Sequence, residues 1–205
     1  AILSLIGCSG CLYSGRRSAY VPLYPEACSD FIIGSKMVEQ GLRAVYEPEA
    51  VAIEETNRRS DRELRMRVRV ITQTISDLWR HRAMLNPRRS GFYAIELLSH
   101  KVLRYLAPAL LIAILLSSAA LASQSDFYFI VFVLQALFYL LAFIGWMAEG
   151  FGIHQRLIAL PHYFVLANLA VVLAFIKFLR GERYARWEPI REGGDFALAR
   201  KGGEG

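Results

Sequence analysis

The stretch "PEACSDFIIGSKMVEQGLRAVYEPEAVAIEE", Pro25 to Glu55, places one carboxylate, Asp30, between a loop and an apolar run. A carboxylate held against apolar neighbours can serve as a general base if its pKa and reach suit the proton it takes. The same position also suits a helix N-cap, because Ser29 or Asp30 precedes apolar residues at helical spacing, and helix N-termini favour anions. Residue types alone leave both roles open for Asp30.

Two other groupings carry reactive side chains. Cys8 and Cys11 form a C-x-x-C pair within "GCSGCLYSGRR". Zinc takes four ligands, and no second pair or nearby histidine completes a set. The thiols therefore read as small residues in a Gly/Ser turn, and the odd total of three cysteines fits a reducing compartment. Gly7, Gly10 and Gly15 allow tight turns and close approach by a ligand, and Arg16 and Arg17 follow with fixed positive charge.

The elements that must hold these residues follow from periodicity. Ala1 to Ile6 reads as a buried strand. Ile32, Ile33, Met37 and Val38 repeat at helical spacing, and Gly41 is the expected C′ residue. Ala44 to Tyr46 and Val51 to Ile53 read as short strands around a Glu-Pro turn. Strand, helix, strand predicts an α/β fold for residues 1–57. A helix is expected from Asp61 to about Met84, stopped by Asn86-Pro87. A separate amphipathic helix, Gly91 to Arg104, is expected to lie in the membrane interface, with Phe92, Ile95, Leu98 and Val102 lining one side. Glu96, His100 and Arg104 stack on another side, with His100 at headgroup level.

The chain changes character beyond that point. Of its 205 residues 55% are hydrophobic, and the mean hydropathy is +0.32. The apolar residues concentrate in Tyr105 to Ala122, Phe127 to Ala148 and Leu157 to Leu179. Each reaches the roughly 20 residues that a bilayer-crossing helix needs. The organisation is then 58–104 for basic interface helices, 105–180 for an all-α membrane region of three spans, and 181–205 for a polar tail. Tyr128 and Trp146 mark interfacial belts, Pro161 is placed to kink the third span, and Asn168 is expected to hydrogen-bond across helices.

The net charge is +6, and arginines crowd Arg58 to Arg104. Because that stretch runs directly into the first span, it reads as a cytoplasmic collar that favours anionic lipids, not as a nucleic-acid surface. Arg180, Arg183 and Arg186 create a conflict. Three crossings place them opposite the collar, while charge bias places them beside it. Either one segment is re-entrant, or Glu182 and Glu188 weaken the bias. The opening "AILSLIGCSGCLY" lacks a basic leader and reads as mid-domain, so a longer polypeptide is expected.

Taken together, Gly7 to Glu55 resembles the second half of the catalytic domain of membrane-bound family-two glycosyltransferases, the group of cellulose, chitin and hyaluronan synthases. "GCSGCLYSGRR" resembles the family's acceptor-side turn. "CSDFIIGSKMVEQG" resembles its acidic motif, with Asp30 eleven residues before Gly41. "GLRAVYEPEA" resembles the phrase that closes the domain. The resemblance implies the C-terminal part of a GT-A-type nucleotide-sugar transferase domain, followed by an all-α transmembrane region. It assigns Asp30 as the base that deprotonates an acceptor hydroxyl. Cys8, Ser9, Gly10 and Ser29 would line the acceptor site, with Ser29 where the family carries a second carboxylate.

The family's Q-x-x-R-W motif has no counterpart in "RMRVRVITQTISDLWRH". Arg67 and Arg69 stand nearby as substrate-binding candidates, and Trp79 lies further along. The resemblance also implies Mg2+ or Mn2+ bound by a D-x-D motif. None occurs in this sequence, so no metal ligand is expected within it, and those ligands are expected upstream. The implied partners are a nucleotide-sugar donor, a lipid-linked or polysaccharide acceptor and membrane lipids, at the cytoplasmic face of a bacterial inner membrane. The competing expectation is a catalytically inactive membrane scaffold derived from such an enzyme.

Overall fold

The computed structural model describes residues 6–8, 10, 12–53, 60–152 and 156–184. Among them there is no strand, so this part of the protein is all-α and the α/β expectation is overturned. A strand exists through the hydrogen bonds of a neighbour. Ala44 to Tyr46 and Val51 to Ile53 lie in extended chain without a ladder, and Ile53 is 98% exposed. Most of the strand expected at Ala1 to Ile6 falls outside the described residues.

The first helix, α1, spans Ser29–Glu39. Its C-terminus closes as the glycine predicted. Gly41 adopts φ +75°, its N–H donates to the Val38 carbonyl at 2.9 Å, and the Leu42 N–H reaches the Met37 carbonyl at 3.0 Å. This double return satisfies carbonyls that the helix leaves open. At the other end the N-cap is Cys28, and its side chain makes no capping bond. Asp30 lies one residue inside the helix, so neither it nor Ser29 is the cap.

Helix α2, Ser60–Arg80, is shorter than the sequence suggested, because Arg82–Leu85 tightens into a 3-10 turn. Leu64, Val68, Ile71 and Ile75 form its apolar stripe and pack against Ala170, Leu173 and Ala174 of α7, Arg156–Leu179. The two alanines let the helices approach closely. Asn86 caps the short α3, Pro87–Ser90, by accepting from the Arg88 N–H at 3.0 Å.

The expected interface helix is not separate. Helix α4, Phe92–Leu97, continues through one π-helical segment, Leu98–Val102, into α5, Leu103–Leu121. Its protein-facing side is a different one from the apolar side read in the sequence. Tyr93, Ala94 and Leu97 face inward, while Phe92, Ile95 and Leu98 are exposed. The inward set meets the apolar side of α1, joining Phe31, Ile32, Leu78 and Met84 in one core.

Helix α6, Asp126–Gly150, follows a tight turn capped by Ser125. Phe92–Leu121, Asp126–Gly150 and Leu157–Leu179 are each long and apolar enough to cross a membrane, consistent with an integral membrane protein. α6 and α7 meet at Gly145, where an added Cβ would lie 2.8 Å from the Ile158 carbonyl oxygen. Asn168 does not bridge helices. Its Nδ2 donates to Phe164 O of its own helix at 2.8 Å.

Candidate functional site

Asp30 is positioned by two backbones. Its own helix fixes the Cα, and the glycine turn Gly7 to Gly10 crosses the first turns of α1. The Cys8 N–H donates to the Asp30 carbonyl at 2.7 Å. That crossing needs glycine on both sides, since a Cβ on Gly34 would stand 3.2 Å from the Cα of Gly7. Gly10 then comes so close to the carboxylate that an added Cβ would lie 2.8 Å from Asp30 Oδ2. Ser29 Oγ donates to Asp30 Oδ1 at 3.1 Å.

The structure thus gathers Cys8, Gly10, Ser29 and Asp30, four of the residues expected to act together. Ser9, the fifth of that set, lies outside the described residues, as does Cys11. Beside them opens a groove of about 450 Å3, lined in part by Cys8, Tyr13, Arg16, Met37 and Arg43. Burial, with the Asp30 charge behind it, pushes the Cys8 thiol above its ordinary pKa. A thiol held protonated is a poor nucleophile.

Arg67 and Arg69 are not brought to this site. Arg67 pairs with Glu63 one turn away, at 2.6 Å. They precede Asp77, where α2 meets the start of α1, by ten and eight residues. That separation is about 15 and 12 Å along the helix. Their substrate-binding assignment therefore finds no geometric support beside Asp30. The apolar stripe of α2 explains the outcome, because it docks on α7 and leaves α1 only the last turns.

A second carboxylate, which the sequence reading passed over, holds α1 in place. Asp77 is fully buried and accepts from the Cys28 N–H at 2.8 Å and from the Tyr24 hydroxyl. From another helix it binds the N-terminus of α1, a role the sequence left open for Ser29 or Asp30. Burial raises the Asp77 pKa, opposed by its bonds from Tyr24 and Cys28 and by the Arg80 charge. Burial and the Asp77 contact raise the Tyr24 pKa as well. Arg80 lies 4.1 Å over the Tyr24 ring, and His81 stacks near it at 6.3 Å between centroids. The buried His81 Nε2 has no hydrogen-bond partner, and burial lowers the His81 pKa. The available signal was an aspartate beside Thr74 and Leu78 on the inward face of α2, since an acidic residue there needs a partner.

A third polar group joins α2 to the apolar helices. Ser60 Oγ lies 2.8 Å from His162 Nε2 and also donates to Glu149, whose other oxygen accepts the Ser60 N–H at 2.8 Å. His162 Nε2 and Glu149 Oε2 are 3.1 Å apart. Serine and carboxylate share one ring nitrogen, so this is no nucleophile relay, which needs them on opposite nitrogens.

Among the described residues no group of three or more His, Cys, Asp or Glu side chains could hold a metal ion. The Mg2+ or Mn2+ implied by the resemblance has no fitting ligand set among them. Comparisons with protein-family models, curated proteins and solved structures find no match to this chain.

Proposed function

We propose that the chain is the C-terminal portion of a membrane-bound inverting glycosyltransferase and that Asp30 is its general base. The observation that carries this reading is the close approach of the Gly10 backbone to the Asp30 carboxylate, beside Cys8, which bonds the Asp30 carbonyl and lines an open groove. Removing the Asp30 cap role supports it too. A carboxylate that accepts no capping bond, and carries Ser29 as its side-chain partner, is available for chemistry.

In the proposed reaction an acceptor hydroxyl gives its proton to an Asp30 oxygen. The hydroxyl oxygen forms a bond to the anomeric carbon of the donor sugar. The bond from that carbon to the nucleoside diphosphate breaks with its electron pair, and the configuration inverts. The acceptor is a lipid-linked or growing glycan at the cytoplasmic face of a bacterial inner membrane. No step is assigned to a metal through residues of this chain.

The test uses the full-length protein in membranes with radiolabelled nucleotide sugars. Asp30→Asn is expected to abolish transfer while insertion and expression persist. Full transfer by that variant sinks the general-base role. No transfer by the wild type with any donor supports the alternative, an inactive membrane scaffold, which the serine at position 29 favours.

A further inference from the structure

The flanks of the apolar region meet the same body. Before the first apolar helix, Tyr93 and Leu97 pack into the α1 core. After the third, Gly181 to Tyr184 line one groove with Tyr24, Glu26 and Arg80. Gln73 Nε2 also donates to the Tyr184 carbonyl at 3.1 Å. Three complete crossings would put those two flanks on opposite faces of a bilayer. Their meeting requires an even number of crossings.

The odd helix is α7. A third of its most apolar stretch is covered by protein (33%), against 11% and 6% for the two others. Helix α2 supplies the cover at Ala170 and Ala174, and it runs beside α7 in the same direction from the Ser60–His162 contact to the Trp79–Phe178 ring contact, while α6 covers the first half of α7. Arg62, Arg65, Arg67 and Arg69 lie along the covering stretch. If α7 crossed, α2 would carry those guanidinium groups through hydrocarbon, which a membrane strongly disfavours. The contacts of α7 on α6 agree. Phe138, Gly145 and Glu149, all from the second half of α6, meet Phe164, Ile158 and His162. That half of α6 is the one returning toward α1.

We propose that only α5 and α6 cross the membrane, as a hairpin, and that α7 stays with α2 at the lipid surface on the side of α1. Arg180 and Arg183 then share the side of the basic collar, which removes the charge conflict. The arginines of α2 meet headgroups and water, and the apolar face of α7 left by α2 seats in the bilayer interface. This arrangement does not depend on sugar transfer.

The experiment maps sidedness in the full-length protein. Its native cysteines in this segment are replaced by Cys8→Ser, Cys11→Ser and Cys28→Ala, and any others are also removed. Single cysteines then enter at Arg88→Cys, Ser123→Cys and Glu182→Cys. A membrane-impermeant maleimide is applied to sealed vesicles of each orientation, with detergent-opened vesicles as the total. Arg88→Cys and Glu182→Cys are expected to react in the same vesicles, and Ser123→Cys in the opposite ones. Glu182→Cys reacting together with Ser123→Cys overturns the proposal. Epitope tags inserted after Gln124 and after Tyr184, read by antibody, give the same decision without changing a cysteine.

Discussion

Two aspartates meet helix α1, and their surroundings could hardly differ more. Asp77 is sealed under the N-terminus, gripped by the Cys28 N–H and the Tyr24 hydroxyl. Asp30 rides the first turn, with the hydroxyl of Ser29 on one oxygen and the Gly10 backbone against the other. One carboxylate holds the N-terminus of the helix, and the other makes its side-chain bond with its neighbour Ser29. A negative charge near a helix N-terminus is ambiguous until the donors that it satisfies are known.

The largest effect should fall on Asp77. Asp77→Ala strands a buried N–H and a hydroxyl, and the loss is expected to be about 3 kcal/mol. Denaturant unfolding in detergent measures it, and a change below about 1 kcal/mol erases the contrast. Tyr24→Phe removes one of the two donors and should cost about 1–2 kcal/mol. Less stability should be lost at the groove. Gly10→Ala meets only the end of a flexible side chain, so the fold is expected to change by under about 0.5 kcal/mol. The displaced Asp30 carboxylate should nevertheless slow sugar transfer at least about tenfold. Equal losses of stability and transfer would blur the two regions into one.

The smallest effect is a pH slope. Burial raises the folded pKa of Asp77 above its unfolded value. The folded state therefore binds the proton more tightly, and stability from this group is fully present below the unfolded pKa. It is lost as pH rises through the raised folded pKa. Thermal midpoints taken from pH 4 upward should show that decline in the wild type and a flatter profile in Asp77→Asn. A steeper decline in Asp77→Asn counts against the assignment.

The helices were legible in the sequence wherever one local rule was enough. Gly41 marked the end of α1, and the three apolar runs matched α5, α6 and α7 within a few residues, whereas Asn86-Pro87, read as a helix stop, instead opens α3. What failed depended on distant partners. The expected strands at Ala44 to Tyr46 and Val51 to Ile53 have β-favouring residues but no neighbouring strand. Which side of α4 meets the protein depended on the apolar side of α1, which Tyr93 and Leu97 join. At the site, the sequence placed Asp30, Ser29, Cys8 and Gly10 together. It assigned Arg67 and Arg69 there as well, and they stand on the stretch of α2 that docks on α7. Asp77 was missed because its meaning rests on Tyr24 and Cys28, more than forty residues earlier.

The central claim is that Asp77 holds α1 and Asp30 does not. The most direct measurement is the thermal midpoint of Asp30→Asn and Asp77→Asn, each against the wild type in the same detergent. The account predicts a midpoint within about 1 °C of wild type for Asp30→Asn, a half-buried side chain that does not cap the helix, and a drop of at least about 4 °C for Asp77→Asn. A drop for Asp30→Asn as large as that for Asp77→Asn would contradict it and return Asp30 to a structural role.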